Sequence, residues 1–468
     1  MRATRRLSGF SALSVLAQLG FAFLAHCNNS PPSPEPQTPP SAHSQTDTQV
    51  SPPASANPMP IAANSGSNDS GSSGSSAPAV SAEAMTRLAN DSNAFGFDLY
   101  QRVRAHGKGN MVLSPASITT ALSMAWGGAK GETAEQMKKA LHLEGSPQEV
   151  MQASGALIGA LTDPNRPIKF RVANRLFGEK TYAFEAPYLD ATKAAFGAPL
   201  ESVDFINGFE PARAHINGWV EEQTENRIKD LIPPRGLDKE TRLVLVNAIY
   251  FLGDWQAPFE NEKTKPASFA VGGKSKKDVP TMHREDRLRY TEKDGVKALE
   301  IPYKGGNMSM VFVLPNQADG LDALEKSFDN SKLDELVRGL QGHTVRVSLP
   351  KFEINPAESL SLGDRLKDMG MTLAFTRAQA DFTGIANPPK PEDRLYISKV
   401  FHKAFIRVDE KGTEAAAATG TVMMRSLAMP MPQQPVVFNA DHPFLFFIRD
   451  NASGIVLFNG RVTDPSAK

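Results

Sequence analysis

Residues Leu395 to Ala418 read LYISKVFHKAFIRVDEKGTEAAAA, a patterned strand that runs directly into a string of small residues. Val400, His402, Ala404, Ile406 and Val408 alternate with Lys399, Lys403 and Arg407, the two-residue period of a β-strand with one apolar face. His402 falls on that apolar face. The continuation from Glu410 to Leu427 is EKGTEAAAATGTVMMRSL, followed by the turn-rich AMPMPQQP of Ala428 to Pro435. A disordered linker is one reading of so many small side chains. The rest of the chain supplies another.

The sequence has 468 residues, enough for one large domain or several ordinary ones. Its 51 basic and 51 acidic residues cancel, so no overall field favours nucleic acid or an anionic membrane. An apolar fraction of 40% supports a large core, and the single cysteine, Cys27, leaves packing rather than disulfides to stabilise it. Residues 1–26 have the charged start (MRATRR) and apolar run of a secretory signal peptide. Leu24-Ala25-His26-Cys27 resembles the lipobox of bacterial lipoproteins, with His26 standing where that pattern prefers a small residue. The resemblance implies a lipidated Cys27 that anchors the chain at the cell envelope or surface. A plain leader, giving a soluble extracellular or periplasmic protein, is the alternative. Residues 27–82 continue in Ser, Pro, Asn, Ala and Gly without an aromatic side chain, the composition of a flexible tether. Residues 83–468 are expected to fold as one domain, since no Pro/Gly/Ser linker and no internal repeat divides them.

The first half of that domain reads as helical. Asp91-Ser92-Asn93 is placed to cap AFGFDLYQRVRA. Ser114-Pro115 is placed to open SITTALSMAW, and Thr133-Ala134-Glu135-Gln136 has capping-box spacing. A further helix is expected across ARAHINGWVEEQTENRI. LVLVNAIYFL, MSMVFVLP, VRVSLPKFEI, LYISKVFHKAFIRV, PFLFFI and GIVLFNGRV then read as strands. The order predicts an α+β domain with large, mainly antiparallel sheets. Asn247 and His402 interrupt apolar runs, and burying either without a partner costs on the order of a few kcal/mol. Ser114 and Ser117 are candidate partners.

Catalytic and cofactor chemistry find little support. Ser114 and His402 could be drawn into a hydrolytic triad with an aspartate, but no GxSxG elbow is present and helix-start geometry explains the serines. Gly273-Lys274-Ser275 lacks the preceding glycine of a phosphate loop and reads as a turn. Met282-His283-Arg284-Glu285 is not a zinc motif, and no cofactor or metal is expected.

NMVLSPASITTALSMAWGGAKGETAEQM (Asn110 to Met137), VNAIYFLGDWQAPF (Val246 to Phe259), the Leu395–Ala418 stretch and HPFLFFIRDNASGIVLFNGRV (His442 to Val462) are together similar to the serpins, in the same order and spacing. The resemblance implies a fold of three β-sheets and about nine helices with an exposed reactive loop. It also implies a monomer that acts as a suicide substrate rather than an enzyme. A protease cleaves the loop, and the loop enters the central sheet as a new strand before the acyl-enzyme is hydrolysed. The matching hinge is Glu410, Gly412, Thr413, Glu414, Ala415, Ala416, Ala417, Ala418 and Thr419. In a strand, Thr413, Ala415, Ala417, Thr419, Thr421 and Met423 would share the inward face, all small but the last. The one charge, Glu414, lies on the outward face, a phase that the linker reading does not explain. Non-inhibitory members often carry bulky, charged or proline residues in this hinge, and this chain has none on its inward face. A binding or transport serpin is the alternative. Ser114, Ser117, Asn247 and His402 match the polar shutter beneath the sheet, and Trp255 matches the tryptophan at the breach where the loop enters.

The commonest family spacing from Glu410 puts Ser426 before the scissile bond, and a spacing one shorter selects Arg425–Ser426. A long cation fits the acidic pocket of trypsin-like serine proteases, which favours Arg425. Met423, Met424, Ser426 or Leu427 would instead suit elastase-, chymotrypsin- or subtilisin-like enzymes, and several bonds can coexist. Heparin-activated members use basic residues on one helix. The corresponding QEVMQASGALIGALTDPNRP is nearly uncharged, so no heparin activation is expected by that route.

Overall fold

A computed structural model describes residues 80–197, 200–413 and 434–467. Helix α1 (Ala82–Arg104) is followed by β1 (Met111–Leu113), α2 (Pro115–Trp126), α3 (Gly131–Ala140) and α4 (Pro147–Leu161). Then come β2 (Lys169–Glu179), α5 (Ala186–Phe196), β3 (Glu201–Val203), α6 (Phe209–Gln223) and β4 (Leu243–Asp254). Strands β5 (Lys265–Val271), β6 (Ser275–Lys293), β7 (Val296–Pro302) and β8 (Met308–Pro315) lead to α7 (Leu321–Ser327) and α8 (Asn330–Gly339). The chain continues through β9 (Gln341–Pro350), β10 (Phe352–Ile354), β11 (Leu360–Ser361), α9 (Gly363–Asp368), β12 (Lys399–Val408) and β13 (Gly412–Thr413). It closes with β14 (Val436–Asn439), β15 (Phe444–Asp450) and β16 (Val456–Val462).

The strands form two hydrogen-bonded networks. One runs β10-β12-β13-β4-β2-β3, with β11 on β12. The other runs β1-β16-β15-β8-β7-β6-β9-β14, with β5 on β6. The 19-residue β6 belongs to two groups in this larger network. Its start pairs with β5, its end with β7, and its middle with β9. The expected three sheets are therefore the seven-stranded one and two others that share β6.

Two helix starts differ from expectation. Helix α1 begins at Ala82 and is capped by Ser81, whose hydroxyl accepts from the Ala84 amide at 3.1 Å. Asp91, Ser92 and Asn93 lie buried inside it because distant groups satisfy them. Asp91 accepts from the Glu144 amide (2.9 Å), Ser92 from the Thr119 hydroxyl (3.2 Å), and Asn93 from the Val456 amide (2.8 Å). Helix α3 opens at Gly131 after Lys130, so Thr133 caps nothing and accepts from the Asp381 amide at 3.0 Å.

Both faces of the seven-stranded sheet are covered. Leu245, Ile249 and Phe251 join the main core, while Val244, Val246 and Tyr250 pack with Ile216 and Val220 of α6. Phe401, Lys403 and Phe405 of β12 are consequently buried as well, so its apolar/polar alternation does not mark an exposed face.

Candidate functional site

The seam between β4 and β12 is parallel, with Lys399 opposite Val244 through Phe405 opposite Tyr250. Past Phe405 the strands admit β13. Gly412 pairs with Asp254 and Thr413 with Gly253 on one side, and Thr413 pairs with Val408 on the other, both antiparallel. The first residues of the small-residue stretch thus already stand between two strands of a sheet. Glycine is required at 412, because a Cβ there would fall 2.0 Å from the Gly253 carbonyl oxygen and 2.7 Å from Asp254 Cα. Thr413 is fully buried, with its hydroxyl 2.7 Å from that of Tyr303.

Trp255 holds the approach to this position. Its indole donates to the Asp409 carbonyl (3.0 Å), its amide donates to the Lys411 carbonyl (2.7 Å), and its ring stacks on Tyr303 with centroids 4.6 Å apart. Glu410 is fixed by Lys351, whose ammonium lies 3.0 and 2.7 Å from the two carboxylate oxygens, and by the Thr264 hydroxyl, which donates at 2.8 Å. Burial alone would raise the Glu410 carboxyl, but these bonds hold it below its ordinary value. Tyr303, Lys351 and Thr264 belong to the site although no sequence signal singled them out.

Beneath the seam, Ser114, Ser117, Asn247 and His402 come together as expected, with Asn174 of β2 as an additional member. The Asn247 amide donates to Ser117 Oγ and Asn174 Oδ1, both at 2.6 Å, and its oxygen accepts from His402 Nδ1 at 2.5 Å. His402 Nε2 accepts from the Ser114 amide at 3.3 Å, so both ring nitrogens are used by a neutral imidazole. Burial pushes this imidazole down to about 3. The Ser114 hydroxyl donates to the Leu457 carbonyl at 2.6 Å, away from the ring, which is no arrangement for activating a nucleophile. Asn174 was legible, since it interrupts the alternation of Val172 and Leu176 as Asn247 interrupts its own strand.

Helix α4 carries no basic residue in its last turn, in keeping with the uncharged stretch noted above. Among the described residues, no group of three His, Cys, Asp or Glu side chains could hold a metal ion. Glu414 to Thr419, the bait residues Met423, Met424, Arg425, Ser426 and Leu427, and Cys27 lie outside the described residues.

Comparison with known proteins identifies the architecture. The family model "Serpin (serine protease inhibitor)" matches residues 90–465, and the chain belongs to this family. It is 40% identical over 391 residues to the leukocyte elastase inhibitor of Equus caballus, covering 81% of this chain and all of that one. A solved structure of Serpin48, described as a highly specific serpin of the insect Tenebrio molitor, is 34% identical with a TM-score of 0.70, covering 81% of this chain and 98% of that one. Uncleaved ovalbumin is 30% identical with a TM-score of 0.72, covering 81% of this chain and 100% of that one.

Proposed function

We propose that the chain is an inhibitory serpin that traps a trypsin-like serine protease after cleavage at Arg425–Ser426. The observation that carries the reading is β13, seated antiparallel to both β4 and β12 at the open end of their parallel seam. If cleavage frees residues 414–425, they can continue β13 along both flanking strands. One parallel ladder then becomes two antiparallel ones, which form more backbone hydrogen bonds and are slightly more stable per residue. Strand addition with release of built-in strain is the established mode of serpin loop insertion. Small residues at 415, 417 and 419 would enter without overpacking, and inhibitory relatives such as the horse leukocyte elastase inhibitor support the same reading. The chain is consumed in the reaction and is not a turnover enzyme.

The test is incubation with a slight excess of trypsin, followed by a denaturing gel and mass spectrometry. An SDS-stable adduct with a released peptide beginning at Ser426 is expected. Loop cleavage without an adduct, repeated with elastase- and subtilisin-like proteases, would leave a binding or transport serpin instead.

We also propose that lipidated Cys27 anchors the chain at the cell envelope, because several acyl chains hold a protein where a single chain does not. The chain should partition with membranes and Cys27→Ser should not. Equal partitioning of the two would remove the anchor.

A further inference from the structure

The protease-facing segment has two roots, and one cavity is lined by residues next to the supports of each. At the first root Thr264 and Lys351 hold Glu410. At the second, β14 lies on β9 with Val437 opposite Arg346 and Asn439 opposite Ser348. The cavity, about 320 Å³, is walled by Lys263 and Lys265 on either side of Thr264, by Arg284 and Glu285 of β6, and by Arg346 and Ser348 of β9. It is therefore lined by the chain neighbours of Thr264 at the first root and by the β9 residues opposite β14 at the second.

Its charge is one-sided, with four cations and one carboxylate on the wall. Glu285 is engaged by Arg346 at 3.2 Å, and Lys263 by Glu260 at 2.8 Å. Lys265 is exposed and has no ion-pair partner among the described residues. The Arg284 side chain is only 8% exposed and lies over the Phe259 ring at 4.5 Å, donating to the Ala257 carbonyl. Its Nε is buried without a partner, and the nearest carboxylate, Asp286, is 3.7 Å away. Burial lowers Arg284 to about 10, against the pull of Asp286, so it remains cationic at neutral pH. Val437, beside this wall, is the exposed large hydrophobic residue among those described, at 49%.

We propose that this cavity and its basic rim are a docking site for an acidic surface of the target protease, an inference that rests on the inhibitor reading. Position selects the occupant. A protease that holds Arg425–Ser426 in its cleft is tethered to Val436 by a segment of at most about 35 Å, comparable to the protease itself. That reach keeps its surface close enough to overlie the face that carries the cavity. Exposed charges there act on encounter, raising the association rate at low salt more than they strengthen the final complex.

The experiment compares anionic and cationic forms of trypsin, which share a cleft specificity and differ in surface charge, against the full chain and the double variant Lys265→Glu/Arg346→Glu. The unmodified chain should react about tenfold faster with the anionic form at low salt, and the preference should shrink as salt rises. The variant should lose or invert the preference, with adduct yield read in the same titration. Equal rates for the two trypsins, or a preference retained in the variant, overturns the docking site and leaves the inhibitor reading intact. An absence of adduct with either trypsin and with elastase- and subtilisin-like enzymes defeats the inhibitor reading itself. Acceleration by heparin that disappears in the variant would assign the cavity to a polysaccharide and overturn the protease assignment.

Discussion

Strands β8, β15 and β16 pair antiparallel and bury Phe312, Phe444, Phe446 and Phe458. Strands β4 and β12 are also largely buried, yet they run parallel, set Asn247 beside His402 and admit a two-residue strand at one end. Apolar packing is non-directional and tolerates many arrangements. A buried amide–imidazole–hydroxyl network is satisfied only when its members meet at hydrogen-bonding distance. The first region is held by area, and the second depends also on the geometry of the Asn247 and His402 contacts.

The largest test of that contrast is at Thr413. Arginine there would place an unpaired cation in a fully buried position, at a cost of several kcal/mol that the uncleaved chain escapes by releasing the two-residue β13 and that insertion restores. Adduct yield on a denaturing gel should fall by about tenfold or more, set by that penalty, while cleavage of the loop persists. Undiminished trapping would mean that insertion does not pass through the β4–β12 seam. A smaller effect is expected from Asn247→Ala, which strips partners from Ser117, Asn174 and His402 and should cost about 3 kcal/mol. Phe446→Ala should cost about 3–5 kcal/mol through a cavity. Hydrogen exchange separates the two, with Asn247→Ala loosening β4 and β12 first and Phe446→Ala loosening β8 and β15. Identical patterns would erase the distinction between the regions.

Acid should act on the seam more gently. The folded state lowers the His402 imidazole to about 3, so it favours the neutral form over the unfolded state, whose imidazole has its ordinary value near 6.5. The stability gained is complete above pH ~6.5 and is lost as pH falls toward 3. By pH 5 the loss is about 2 kcal/mol. Asp91, raised to about 6 mainly by burial, works in the opposite sense. The informative measurement is therefore the thermal midpoint between pH 7.5 and 5 for the chain and for His402→Gln. An acid loss that is equal in both would acquit His402.

Much of this arrangement was legible in the sequence because it rests on violations of a simple pattern. Asn247 and His402 stand out wherever an apolar strand alternates, and the small residues after Gly412 stand out against a chain rich in core formers. The strand assignments held because β-rich apolar runs such as MSMVFVLP have few other uses, and β8 spans that run in full. Pattern failed where polar residues find distant partners. Asp91-Ser92-Asn93 looks like a helix start, but groups far along the chain satisfy all three. Thr264 lies 146 residues from Glu410 and Lys351 lies 59 from it, and neither breaks a local periodicity. Tyr303 resembles any core aromatic until its hydroxyl is found against Thr413.

The position of Gly412 and Thr413 also bears on timing. Adding a strand to a sheet resembles closing a zipper, in which the first pair is the slow step because loop ends must be brought together before any contact rewards it. Here the first pairings, of Gly412 with Asp254 and of Thr413 with Gly253 and Val408, are already made in the folded chain. On the inhibitor reading proposed above, insertion after cleavage would begin at propagation, with no search for the entry point, and its competitor would be water attacking the acyl bond. A head start of two seated residues would shift that race toward capture.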